Sequence, residues 1–133
     1  MSQAAKGSGL IDGLDKVEAW FGRVPDFRDA KLMAFTLDSK SVCRIAVQAW
    51  LAKDGPGVNG HPMTEKHATV VFTINEVFAM SVSGYGEGTV FSRLYLREEN
   101  DHVVMAWDPS WGIGGEITGK SMQILLTPIK TDP

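Results

Sequence analysis

From residue 29 onward the chain repeats one pattern. Short runs alternate apolar and polar residues with a period of two, and clusters of Gly, Pro, Asn, Asp and Ser cut them apart. Nothing long enough for a crossover helix separates the runs, so their strands must pair mainly antiparallel. The runs predict strands over 29–37, 42–52, 67–76, 77–83, 90–97, 103–107 and 121–129. Within 29–37, Met33, Phe35 and Leu37 fall on one side and Ala30, Leu32 and Ala34 on the other. Cys43, Ile45, Val47, Ala49 and Leu51 face inward from the next run, and Ala68, Val70, Phe72 and Ile74 from the one after.

One segment has a different period. Leu10, Ile11, Leu14, Val17, Trp20 and Phe21 recur at spacings of three and four, which is one face of an amphipathic helix. Ser8 or Asp12 can cap its start, and Gly22 with Pro25 beyond it stops it. So short a helix needs tertiary support. The expected fold is α+β or mainly β. The N-terminal helix packs on a curved, largely antiparallel sheet of about seven strands, arranged as two layers or a half-barrel.

The chain has 133 residues, 44% of them hydrophobic. That suffices for one domain, expected over 10–130, with residues 1–9 disordered. A net charge of −3 gives no long-range attraction to nucleic acid or an anionic membrane. The lone Cys43 makes no internal disulfide. The start of the chain lacks a signal-peptide pattern, and no apolar run approaches the roughly 20 residues a membrane helix needs. The expected location is the cytoplasm.

Candidate chemistry is sparse. His61, His67 and His102 do not have zinc-motif spacing. Cys43 falls on an apolar strand face and reads as a buried, inert thiol. "GYGEG" (84–88) lacks the Lys-Ser/Thr pair of a phosphate loop and is followed by a strand, so it reads as a turn. Arg28 and Asp29 are adjacent and would face opposite sides of a regular strand. Turns separate Asp101, Asp108 and Glu116. No catalytic, cofactor or metal constellation emerges, so the chain is not expected to be an enzyme. Trp107 and Trp111 flank Asp108-Pro109-Ser110, and Tyr85 and Glu87 sit in another turn. Aromatics and carboxylates on loops make good interface anchors. Tyr85, Glu87, Asp108 and Trp111 are therefore the candidate partner-binding residues. The alternative is a small-molecule-binding module, with an apolar pocket in the curved sheet closed by the loop 53–66.

"WFGRVPDFRDAKL" (20–32) resembles the immunity protein 50 family of bacterial polymorphic toxin systems. That family opens with a short helix ending in Phe-Gly, followed by a motif of the form Pro-Ser-Phe-His-Asp-Ala-Glu-Val. Phe21, Gly22, Pro25, Phe27, Asp29 and Ala30 match, while Asp26 and Arg28 stand where the family has Ser and His. Residues 69–96 and 105–128 are similar to the family's later strands and Gly-aromatic turn. The resemblance implies a small protein that binds and neutralises one cognate toxin inside the producing cell, without catalysis or cofactor. Gly22, Pro25, Phe27 and Asp29 read as its structural motif.

Overall fold

A computed structural model describes residues 9–52, 64–84 and 88–129. In chain order the elements are β1 (Ile11–Asp12), α1 (Leu14–Phe21), β2 (Lys31–Leu37), β3 (Cys43–Ala52), β4 (Thr64–Asn75), β5 (Ala79–Ser83), β6 (Val90–Glu99), β7 (His102–Trp111), β8 (Gly114–Gly119) and β9 (Ser121–Pro128). The strands form one sheet in the order β1-β9-β4-β3-β2-β6-β7-β8-β5. Every neighbouring pair is antiparallel except β1 with β9. Among the described residues the fold is thus mainly β with one short helix, as the alternation predicts, but the sheet has nine strands rather than about seven.

The two extra strands have local causes. Ile11 and Asp12 read as the first turn of the helix, but they pair with Met122 and Gln123 of β9. The helix begins only after Gly13, whose φ of 99° breaks it from β1, and no side chain caps it. A Cβ on Gly13 would lie 2.1 Å from the Ile124 carbonyl oxygen, so only glycine permits this approach. The sequence of β8, GGEITG, hides a strand because glycine weakens the alternation signal. Gly119 is needed there: a Cβ would meet Ile74 Cγ2 at 2.5 Å and the Asn75 carbonyl oxygen at 2.7 Å. Strand β7 also runs further than expected, through "DPSW", because bulges opposite Phe91 absorb Pro109.

A further bulge corrects the reading of residues 29–37. The pairing of β2 with β3 shifts between Leu32 and Ala34. Met33 is the extra residue and stands 58% exposed. Leu32, Phe35 and Leu37 therefore share the core side with Val47, Ile45 and Cys43, because one inserted residue reverses the parity. At the next turn the Asp38 carboxylate accepts hydrogen bonds from the Lys40 and Val42 amides, at 2.8 and 3.1 Å.

The core gathers one side of nearly every element. Val17 and Phe21 of α1 join Ile45, Val47, Val70, Phe72, Phe91, Met105, Ile117 and Met122, all buried. Burial of each large side chain contributes roughly 1.5–3 kcal/mol. The Phe35 ring meets Trp107 of β7 at 6.0 Å, although β2 and β7 are not neighbours in the strand order.

Residues 22–32 make the joint. Gly22 ends α1 at φ 84°, its N–H bonded to the Glu18 carbonyl at 2.8 Å. The Asp26 carboxylate accepts the Arg28 amide at 3.0 Å. Phe27 is buried, with its ring against Phe21 and Phe72 at centroid distances of 6.5 and 5.6 Å. Phe27 and Asp29 both have positive φ, 61° and 67°. Such a conformation is unusual for a bulky residue and mild for Asp. The ladder between β2 and β6 is the single pair Lys31–Val90. The joint reinforces it, with Leu94 donating to the Asp26 carbonyl, Asp29 to Phe91, Phe91 to Ala30 and Leu32 to Thr89, all at 2.8–2.9 Å.

Candidate partner-binding surface

Directly paired residues on neighbouring strands share a face. On β6 the core side carries Leu94 and Leu96, opposite Trp107 and Met105. The other side therefore carries Arg93, Tyr95 and Arg97, opposite Asp108, Ala106 and Val104 of β7, of which Val104 is buried. Glu116 and Thr118 of β8 extend the same face.

These side chains hold one another. The Tyr95 hydroxyl donates to Asp108 Oδ2 at 2.8 Å. The Arg93 guanidinium carbon lies 4.6 Å from the Tyr95 ring centre. Arg97 donates through Nε to Glu99 and reaches Glu116 with Nη2 at 3.6 Å. The hydrogen bond to Asp108, followed by partial burial and the carboxylate's charge, pushes the Tyr95 hydroxyl above its ordinary pKa. Each exposed pair is worth little by itself. Together they present an aromatic ring and both signs of charge in fixed positions, which suits recognition of another protein surface.

Of the four residues expected to bind a partner, Asp108 lies in this cluster. Trp111 ends the same strand, 64% exposed. Tyr85 and Glu87 lie outside the described residues. Trp107 is core, 2% exposed, with its indole N–H donating to the Ile113 carbonyl at 2.8 Å. Sequence reasoning missed Arg93, Tyr95, Arg97 and Glu116 as a group. The alternation of "FSRLYLRE" already puts the first three on one face. Only the pairing of β6 with β7, and of β7 with β8, brings Asp108 and Glu116 to them.

The remaining candidates separate. A His67 ring nitrogen is 2.9 Å from Thr64 Oγ1, and the ring stacks on Trp50. His102 Nδ1 is 3.2 Å from the Asn100 carbonyl, and its ring stands edge-on to Phe78. His61 and most of the loop 53–66 lie outside the described residues. Cys43 is fully buried, and burial pushes its thiol up to about 11, where it is neither nucleophile nor ligand at neutral pH. Among the described residues no three His, Cys, Asp or Glu side chains gather as a metal site would require. An open cleft of about 460 Å³ lies between Lys40, Ser41, Glu76, Val77, Phe78 and Lys120. Among the described residues no helix is long and apolar enough to cross a membrane.

No family model and no curated protein matches the chain. A solved structure of an uncharacterized protein from Neisseria gonorrhoeae is similar to it, with a TM-score of 0.49 and 8% sequence identity. The match covers 74% of this chain and 91% of that one.

Proposed function

We propose that this protein is an immunity-type binder that recognises and neutralises one cognate bacterial toxin in the cytoplasm of the producing cell, without catalysis or cofactor. The observation that carries the reading is the cross-strand cluster of Arg93, Tyr95, Arg97, Asp108 and Glu116, with Trp111 exposed at its margin. Preset charges and a held aromatic ring favour fast encounter and correct register with a partner of complementary charge. The Phe35–Trp107 contact supports a two-layer or half-barrel arrangement of the sheet, with α1 covering the core at Val17 and Phe21. Such a scaffold presents the cluster on a rigid strand face rather than on a loop. Phe21, Gly22, Pro25, Phe27, Asp29 and Ala30, which carry the resemblance, build the joint of that scaffold. In this reading the motif marks the fold, and the recognition surface lies elsewhere.

The test has two arms. Tagged full-length protein is used to capture partners from the source cell, and it is co-expressed with the product of the adjacent open reading frame. Recovery of that product and rescue of growth are the expected results. Capture without rescue, or rescue undiminished by Tyr95→Ala combined with Asp108→Ala, overturns the reading.

A further inference from the structure

Strand β5 ends the strand order. Among the described residues it pairs with β8 on one side and with no strand on the other. Alternate peptide groups of such a strand point outward, leaving N–H and C=O groups open to a further strand. Natural edges are usually blunted by charge, proline or a bulge. β5 has none of these: its sequence is AMSVS, and its register with β8 runs without a shift from Ala79–Thr118 to Ser83–Gly114. The opposite end of the order differs. There β1 covers β9 at Met122 and Gln123, and Gly13 closes on Ile124.

The side chains of β5 carry the same message. Met80 and Val82 pair with Ile117 and Gly115, so they lie on the core side of the sheet. Ile117 is fully buried, yet Met80 and Val82 remain 37% and 39% exposed because no strand lies beyond them. The sequence is also nearly symmetric about Ser81, with one apolar residue on each side and then one small residue on each side. Two copies paired antiparallel, with the two-fold axis at Ser81, place Met80 of one opposite Val82 of the other and Ala79 opposite Ser83. No charge meets a like charge, and both apolar pairs lose water. The geometry points to a two-fold dimer in which β5 pairs with β5 of a second copy of this chain. The sheet then continues from one copy into the other across the two β5 strands. An interface built around one short strand falls at the small end of the range, and its affinity is micromolar or weaker, on the order of 1 µM to 1 mM. This assembly does not depend on the toxin reading.

Sedimentation velocity of the full chain, from about 10 µM to 1 mM, tests it. The wild type is expected to shift from monomer to dimer across the series. Ser81→Lys and Ser81→Glu each set like charges against each other on the axis and are expected to stay monomeric, with melting midpoints near the wild type's. Ser81 lies opposite exposed Glu116, so the monomer has room for either change, with the Glu variant's midpoint slightly the lower because its carboxylate faces Glu116. An equimolar mixture of the two variants pairs Lys with Glu and is expected to dimerise again. Hydrogen exchange of the wild type, which needs no variant, is expected to slow over 79–83 as concentration rises and to stay constant along β9. A wild type that is monomeric throughout overturns the dimer and leaves the edge to a strand from another protein. So does a variant that dimerises like the wild type, a mixture that stays monomeric, or exchange over 79–83 that ignores concentration.

Discussion

The solvent side of β6–β7–β8 and the solvent side of β2–β3–β4–β9 obey the same pairing rules and look entirely different. On the first, Arg93, Tyr95 and Arg97 face Asp108 and Glu116 and are held by named contacts. On the second, the cross-strand rows read Ala34–Ala46–Val71–Leu125, Thr36–Arg44–Thr73–Gln123 and Lys31–Gln48–Thr69–Thr127. Those rows hold small, β-branched and amide side chains and two cations, Lys31 and Arg44, whose partner at 3.8 Å is Asp38 in a turn. Leu125 stands 66% exposed there. β-branched residues and threonines stabilise a pleated surface by fitting it. Interlocked opposite charges around a tyrosine add little to stability, and the proposed recognition role rests on their arrangement. Exposure alone does not distinguish the two sides, but mutual positioning does.

The largest expected effect strikes both sides at once. Phe27→Ala empties the joint between β2 and β6 and should cost about 3–5 kcal/mol in denaturant unfolding. A loss below about 1 kcal/mol would show that the backbone hydrogen bonds of residues 26–32 hold the seam without the ring. Next comes recognition itself. Under the proposed function, Tyr95→Ala or Asp108→Ala should weaken partner binding by about 2 kcal/mol or more, while Val71→Ala and Thr73→Ala should change it by less than about 0.5 kcal/mol. Titration calorimetry against the captured partner measures both, and equal losses on the two sides would erase the distinction.

Smaller effects concern titration. Cys43 has its thiol raised from 9.0 to about 11 by burial. The native state keeps the proton that the unfolded chain releases. This contribution to stability is therefore complete below pH 9 and is lost as pH rises through about 11. Alkylation of the native protein at neutral pH should proceed only as fast as the chain opens, and labelling at the rate of a free thiol would contradict this. The smallest effect is at Tyr95. Its pKa is raised above 10.0, first by the hydrogen bond to Asp108, so its contribution holds below pH 10 and fades as pH climbs through the folded value. In a Tyr85→Phe background, which leaves one of the two tyrosines, Asp108→Asn should move the tyrosinate absorbance transition to lower pH. An unmoved transition would mean that the Tyr95–Asp108 bond does not persist in solution.

The inner sides of β3 and β4 are legible because Cys43, Ile45, Val47, Ala49, Ala68, Val70, Phe72 and Ile74 alternate without a break. What escaped the pattern has physical reasons. The glycines of β8, Gly119 among them, remove the side chains by which that strand would be recognised, and β1 is hidden because Ile11 continues the helical spacing of Leu14 and Val17. The bulge at Met33 reverses a parity that no local signal marks. "DPSW" reads as a loop because proline normally leaves strands, and only the bulged pairing with β6 readmits it. Trp107 and Trp111 look equivalent beside the same turn, yet one is core and the other exposed.

The sequence by itself determined the class of fold, the helix end at Gly22 and the burial of Cys43. Each follows from a local period or from a residue whose backbone chemistry allows few alternatives. The strand order, the seam between β2 and β6, the company around Tyr95 and the bare edge of β5 were decided only by the tertiary structure. Each depends on which distant strand lies alongside, a choice made by the packing of one shared core rather than by nearest neighbours in the chain.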